Sequence, residues 1–186
     1  HPLTNSRTDL RQAIDAEAEV LESIADLADL TIDSTQMSSQ ELANLVSTRV
    51  VARSSRGISL LFRSFGFKYG VPVDADVVFD LRCLPNPHWV DGLRPLTGRD
   101  APVRDYLAEQ EMVQQMIGDI SQYLNTWIPR FEANARVYMT VALGCTGGQH
   151  RSVYVAERMA EHFQPQYHNV LVRHRELSKA AAAKAG

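Results

Sequence analysis

Cysteine is scarce, with Cys83 and Cys145 the two present in 186 residues. Their spacing suggests no zinc site, and no metal is expected. Both are expected to be free thiols of a reducing compartment, which points to the cytoplasm. Long apolar runs are also lacking. None approaches the ~20 residues that a bilayer span needs, and the start of the chain has no signal-peptide pattern. Positive charge is not in excess. The net charge is -3, so nothing draws the whole molecule to nucleic acid, and any RNA contact must come from a local basic patch. The nucleotide-binding pattern Gly-x-x-x-x-Gly-Lys-Ser/Thr does not occur. The chain begins at His1 rather than Met, and is read as a piece of a longer protein. What remains is an ordinary globular composition, 45% hydrophobic and 22% charged, sufficient for one packed domain and a smaller appendage.

Three zones follow from the patterning. Leu10, Ile14, Ala18, Leu21, Ile24 and Leu27 fall near helical spacing and predict a helix over 8–27. Residues 30–33 read as a short strand. Ser38-Ser39-Gln40-Glu41 has capping-box form and opens a helix bearing Leu42, Leu45, Val46 and Val50. This stretch is too small to bury its own core and is expected to be the end of a preceding α/β domain. The main domain, from about residue 57, offers strands at 58–64, 77–83, 137–143 and 169–173. Helices are expected at 102–130, broken near Pro129, and at 152–162. The run Val137-Tyr138-Met139-Thr140-Val141-Ala142-Leu143 is almost continuously apolar, as in a strand covered on both faces. The expected fold class is therefore α/β, a parallel-rich sheet with helices on both faces, binding its ligand beyond the carboxyl ends of the strands. The alanine-rich tail after Glu176 is expected to fray.

The strand at 137–143 runs into Gly144-Cys145-Thr146-Gly147-Gly148-Gln149-His150-Arg151-Ser152, and an apolar helix follows. Glycines let backbone N–H groups approach a ligand, and a helix start supplies free donors and the positive end of its dipole. Arg151 can fork onto phosphate oxygens, Thr146 and Ser152 can donate hydroxyls, and His150 can add a proton. The reading is an anion site formed by Thr146, Gly147, Gly148, His150, Arg151 and Ser152. The bland alternative is a glycine-rich turn with an arginine paired to a carboxylate. On this reading Arg151→Ala should leave the unliganded stability almost unchanged. The same loop has the form Cys-x5-Arg-Ser and resembles the phosphate loop of cysteine-dependent phosphatases, with Cys145 as the catalytic nucleophile and Trp89-Val90-Asp91-Gly92 in the place of a general-acid loop. A buried Cys145 acting as a small hydrophobe is the alternative to that.

A second cluster lies past the strand at 77–83. Asp80 and Arg82 share one side of it, Pro85 and Pro87 stiffen the exit, and Asn86 and His88 are displayed beyond. If both strand ends share one edge, His88, Arg82, Thr146 and Arg151 surround one pocket, with Asp80 and Asn86 in support. Asp80 and Arg82 read equally well as a structural ion pair.

Taken in order, Ser64-Phe65-Gly66-Phe67-Lys68-Tyr69-Gly70, Asp80-Leu81-Arg82, Pro85-Asn86-Pro87, Leu96-Thr97-Gly98-Arg99-Asp100, the 145–152 loop and Arg173-His174-Arg175 resemble the RapZ family, also called YvcJ-like nucleotide-binding proteins. The resemblance covers essentially the whole chain. It implies that residues 1–56 are the remnant of an N-terminal P-loop domain, and that residues 57–186 are a C-terminal domain similar to a phosphofructokinase subdomain. ATP or GTP and their hydrolysis would belong to the missing part, with no cofactor in this chain. By resemblance, the C-terminal domain senses glucosamine-6-phosphate, binds small regulatory RNA and presents it to an RNase E-type endoribonuclease. His88, Thr146, Gly147, His150 and Arg151 would hold the sugar phosphate. Arg173, His174, Arg175 and Lys179 would contact RNA, with Lys68 and Arg63 adding to them. So few cations make a weak site, so a homo-oligomer is expected. An oligomerisation domain serving the missing ATPase is a third reading.

Overall fold

A computed structural model describes residues 9–25, 27–51 and 57–177. The chain divides between Ile32 and Asp33 into two compact units. The first holds helix α1, Leu10–Ala25. It starts two residues later than its apolar spacing suggests because Asp9 caps it. The Asp9 carboxylate accepts the Gln12 N–H at 2.8 Å, and the Gln12 side chain accepts the Asp9 N–H at 3.2 Å. Leu10, Ile14, Leu21 and Ile24 are exposed on it. Residues 30–33 form no strand, since no strand among the described residues lies alongside to complete a ladder.

The second unit opens with α2, Ser39–Val46, which carries the expected capping box between Ser38 and Glu41 and runs on as a π-helical turn, Ser47–Val51. Four strands follow: β1 Ser59–Gly66, β2 Val77–Asp80, β3 Tyr138–Cys145 and β4 Val170–His174. They form one sheet of order β2-β3-β1-β4 with every pairing parallel. Between them lie α3, Ala101–Ala108, α4, Glu111–Ala133, and α5, Arg151–Phe163. The helix expected at 102–130 is two helices, parted at Glu109 and Gln110 rather than near Pro129. Pro129 lacks the N–H that would reach the carbonyl of Asn125. Both residues are exposed, so that carbonyl lies on the solvent side of the helix and α4 continues. β2 stops at Asp80 instead of residue 83, because the chain turns at Arg82 once the Leu81 N–H has bonded the Gly144 carbonyl at 2.8 Å.

The fold class is α/β with a parallel sheet flanked by helices. One face of the sheet, with Leu60, Phe62, Met139, Val141 and Leu143, packs on α4 and α5 through Ile120, Leu124, Ile128, Val155, Met159 and Phe163. Each such side chain contributes about 1.5–3 kcal/mol when fully buried. On the other face Arg49, from the π-helical turn, is 1% exposed and lies over the Tyr138 ring. Burial pushes its guanidinium down to about 10, against the pull of Asp76. The crossover from β1 to β2 is held by Arg63–Asp74, 2.7 Å, and by Asp76, which accepts the Thr140 N–H at 2.7 Å and pairs with Arg136. β3 is buried along its whole length, as its continuous apolar run predicts. Parallel pairing puts the ends of all four strands, and the loops that leave them, on one edge. Among the described residues no helix is long and apolar enough to cross a membrane.

Candidate functional site

The 145–152 loop leaves β3 at that edge and opens α5. Gly148 takes φ +72°, which lets its N–H turn back to Cys145 Sγ at 3.3 Å. The loop is wedged between neighbours. A Cβ on Gly66 would meet the Gly147 carbonyl carbon at 2.8 Å, and one on Gly148 would meet Glu176 Cγ at 2.6 Å. Gly98 donates its N–H to the Gln149 carbonyl at 2.8 Å, so the loop at 96–100 clamps the start of α5. Thr146 is exposed. The N–H groups of Thr146 and Gly147 make no hydrogen bond to described residues, and no side chain caps α5. Two further polar atoms, His150 Nε2 and Arg151 Nε, are buried without a hydrogen-bond partner. Open donors at a glycine loop and an uncapped helix start form a concavity suited to an anion.

Arg151 does not lie free as the loop reading supposes. It is 4% exposed, and its Nη1 donates to the carbonyls of Arg82 and Leu84, each at 2.9 Å. Nη2 reaches Thr146 Oγ1 at 3.4 Å. The expectation that its removal costs no stability is therefore reversed. Arg82 joins the site through its backbone, while its side chain forks onto Asp80 and lies 4.0 Å over the Phe67 ring. The ion-pair reading of Asp80 and Arg82 thus describes their side chains, and Arg82 holds Asp80 below the usual carboxylate range. Asn86 supports the site by accepting the His88 N–H at 3.3 Å, which caps the turn Pro87–Trp89. That turn brings the His88 ring to 6.5 Å from the His150 ring. Ser152 is fully buried with its Oγ 3.2 Å from Cys145 Sγ, so it braces the thiol rather than facing solvent. Cys145 itself is 3% exposed.

Of the cations expected to meet RNA, His174 is buried between Ser64 Oγ, 2.9 Å from Nδ1, and Glu157 Oε1, 3.0 Å from Nε2. Arg175 is held by Glu176 at 2.8 Å and by the carbonyls of Gly66 and Gly70. Lys179 lies outside the described residues. Lys68 is exposed, and Arg173 is half-buried. Two residues that support the loop escaped the sequence reading. Gly98 reads in the 96–100 segment as an ordinary turn glycine, and Glu176, 4% exposed and accepting the Gly66 N–H at 3.1 Å, carries no local signal. Among the described residues no cluster of His, Cys, Asp and Glu could hold a metal ion.

Burial lowers both His150 and His174. For His150 this outweighs the carbonyls of Leu93, Arg94 and Leu96, and for His174 it outweighs Glu157. A depressed histidine binds fewer protons folded than unfolded, so stability rises with pH through the unfolded value of about 6.5 and is lost as pH falls below it. The urea midpoint should accordingly drop between pH 7.5 and 5.5, above the range where carboxylates titrate. The double variant His150→Gln, His174→Gln should flatten that dependence, and an equally steep profile in the variant would refute the assignment.

A family model of the RapZ C-terminal domain matches residues 58–178, and one of the RapZ-like N-terminal domain matches residues 1–54. A nucleotide-binding protein of Cellvibrio japonicus is 54% identical over 179 residues, covering 96% of this chain and 60% of the relative. Another of Marinobacter nauticus is 51% identical over 177 residues, covering 95% and 60%. A third, of Pseudomonas putida, is named for its position in the ptsO 5′ region and is 52% identical, covering 95% and 62%. The chain thus spans about three fifths of the length of these curated relatives. With two family models matched in order and half its residues shared with these relatives, the chain belongs to the RapZ family of nucleotide-binding proteins.

Proposed function

We propose that this chain is the sensing half of a cytoplasmic RNase adapter, binding a phosphorylated amino sugar of the glucosamine-6-phosphate class at the 145–152 loop. The observation that carries the reading is the set of open N–H donors at Thr146, Gly147 and the uncapped start of α5, beside Arg151 and two histidines. Phosphate accepts from such donors, and His88 and Thr146 would offer partners to a sugar hydroxyl or amine. ATP or GTP would bind the part of the relatives that precedes this chain. The rival reading is thiol-based phosphatase chemistry. It has a bracing hydroxyl and a loop N–H on Cys145 Sγ in its favour, but the sulfur is buried and Arg151 Nη1 is engaged by carbonyls. Thermal unfolding with glucosamine-6-phosphate, against glucosamine alone, separates the two readings. At 100 times the dissociation constant the phosphosugar should add about 2.7 kcal/mol. Cys145→Ser should bind it equally well. No shift with the phosphosugar, or turnover of a phosphate ester that vanishes in Cys145→Ser, would overturn the sensor reading.

The second half of the proposal is a small regulatory RNA, handed to an RNase E-type endoribonuclease by a homo-oligomer. Support for an RNA surface narrows to Lys68 and Arg173, because His174 is buried and Arg175 is engaged. Arg173→Ala combined with Arg175→Ala would not isolate RNA contact, since Arg175 holds the Gly66 and Gly70 carbonyls beside the loop. Lys68→Ala and Arg173→Ala should each lessen the log–log salt slope of RNA binding by about 0.7. Slopes equal to the parent's would place the RNA elsewhere.

A further inference from the structure

A cavity of about 550 Å³, a usual size for a small-molecule site, lies along the outer edge of β4 and is not part of the 145–152 loop. Its wall holds Arg63, Arg99, Arg173 and Arg175 against two carboxylates, Asp33 and Glu41. Three of these arginines are committed. Arg63 pairs with Asp74 at 2.7 Å, Arg99 with Glu157 at 3.2 Å, and Arg175 with Glu176 at 2.8 Å. The carboxylates have local work: Asp33 accepts the Thr35 N–H, and Glu41 closes the capping box of α2.

Arg173 differs from the other three. It is half-buried, and its guanidinium makes no hydrogen bond or ion pair with any described residue. It stands in register with Arg63 on the neighbouring strand, so the two arginines leave the same face of the sheet. Burial and that like charge both disfavour its charged form, against a weaker pull from Glu41. A guanidinium does not give up its proton near neutral pH, so a partly desolvated one gains when an anion arrives to accept from it. Met37, Val71 and Val172 line the same cavity and give it an apolar side.

We propose that this cavity is a second anion site, distinct from the loop, which takes a small organic phosphate monoester with its phosphate on Arg173 and its body against Met37, Val71 and Val172. The guanidinium of Arg173 presents a fork of donors that matches two phosphate oxygens. The apolar wall suits a ligand with a ring or chain rather than inorganic phosphate. Arg173 then serves a concave site, and a monoester seated there would withdraw it from RNA.

The 186-residue chain is titrated with phenyl phosphate, then with inorganic phosphate, and followed through its backbone amide NMR signals. Phenyl phosphate should move the Met37, Val172 and Arg173 amides in a saturable way, apart from any shifts at Thr146 and Gly147. Arg173→Gln should weaken the cavity response at least tenfold and leave the loop response in place. Arg173→Lys keeps the charge but not the fork, and should weaken it three- to tenfold. If Arg173→Gln does not fold, Arg173→Lys decides, and an unchanged affinity there overturns the site. Shifts confined to the loop overturn it as well. So does inorganic phosphate binding the cavity as tightly as phenyl phosphate, which would mark an adventitious ion only.

Discussion

Gly98→Ala should lose about 3 kcal/mol of stability or more, and should abolish phosphosugar binding in whatever protein still folds. Its Cβ would sit 2.2 Å from the His150 carbonyl oxygen, 2.5 Å from the Tyr154 nitrogen and 2.9 Å from Val153 Cβ. Two of these neighbours are backbone of the first turn of α5, joined to each other by the Tyr154 N–H to His150 carbonyl bond at 2.9 Å. No rotamer change relieves such a clash. Either the loop at 96–100 lifts off, breaking the Gly98 N–H to Gln149 bond, or the helix start moves and takes the anion donors with it. Urea unfolding and a phosphosugar titration measure the two effects. Gly118→Ala, in α4 with nothing within 4 Å of its Cβ, is the control and should hold or raise stability. A Gly98→Ala protein as stable as the parent, binding as well, would show that the clamp is not needed.

Arg151→Ala should lower stability by about 3 kcal/mol and phosphosugar affinity by a further 1.5–3 kcal/mol. The first figure follows from two hydrogen bonds of a charged donor to the Arg82 and Leu84 carbonyls, lost together in a nearly closed site. Truncation leaves those acceptors without a partner and opens a space where the guanidinium lay. The second figure follows from the loss of Nη2 beside Thr146 Oγ1, where a phosphate oxygen would arrive. Arg151→Lys separates them. It keeps the charge near the phosphate but cannot span both carbonyls, so affinity should recover more than stability does. Equal stability of parent and Arg151→Ala would mean that the two carbonyls find other donors. Equal affinity would move the anion away from this arginine.

Much of the architecture was legible because it rests on short-range pattern. The capping box at Ser38 and Glu41, the apolar run of β3 and the passage from strand through glycines to helix each lie within about ten residues, where spacing maps onto geometry directly. The misreadings share one cause as well. A strand at 30–33 needs a partner that spacing cannot supply, and Pro129 reads as a breaker because spacing does not show that its side of α4 is exposed. The break at Glu109 and Gln110 has no proline or glycine to announce it.

The sequence by itself determined most element types, the α/β class and the position of the glycine loop between β3 and α5, since backbone conformation follows from local propensity and from periodic burial. Tertiary structure alone decided what the charged side chains do. Arg151 meets carbonyls 69 and 67 residues away. His174 is enclosed by Ser64 and Glu157, and Arg173 is left in a cavity beside Arg63. A guanidinium or imidazole reads the same in sequence whether it meets solvent, a carbonyl or a cavity wall. The strand order β2-β3-β1-β4 makes that choice, by bringing distant segments against the same edge.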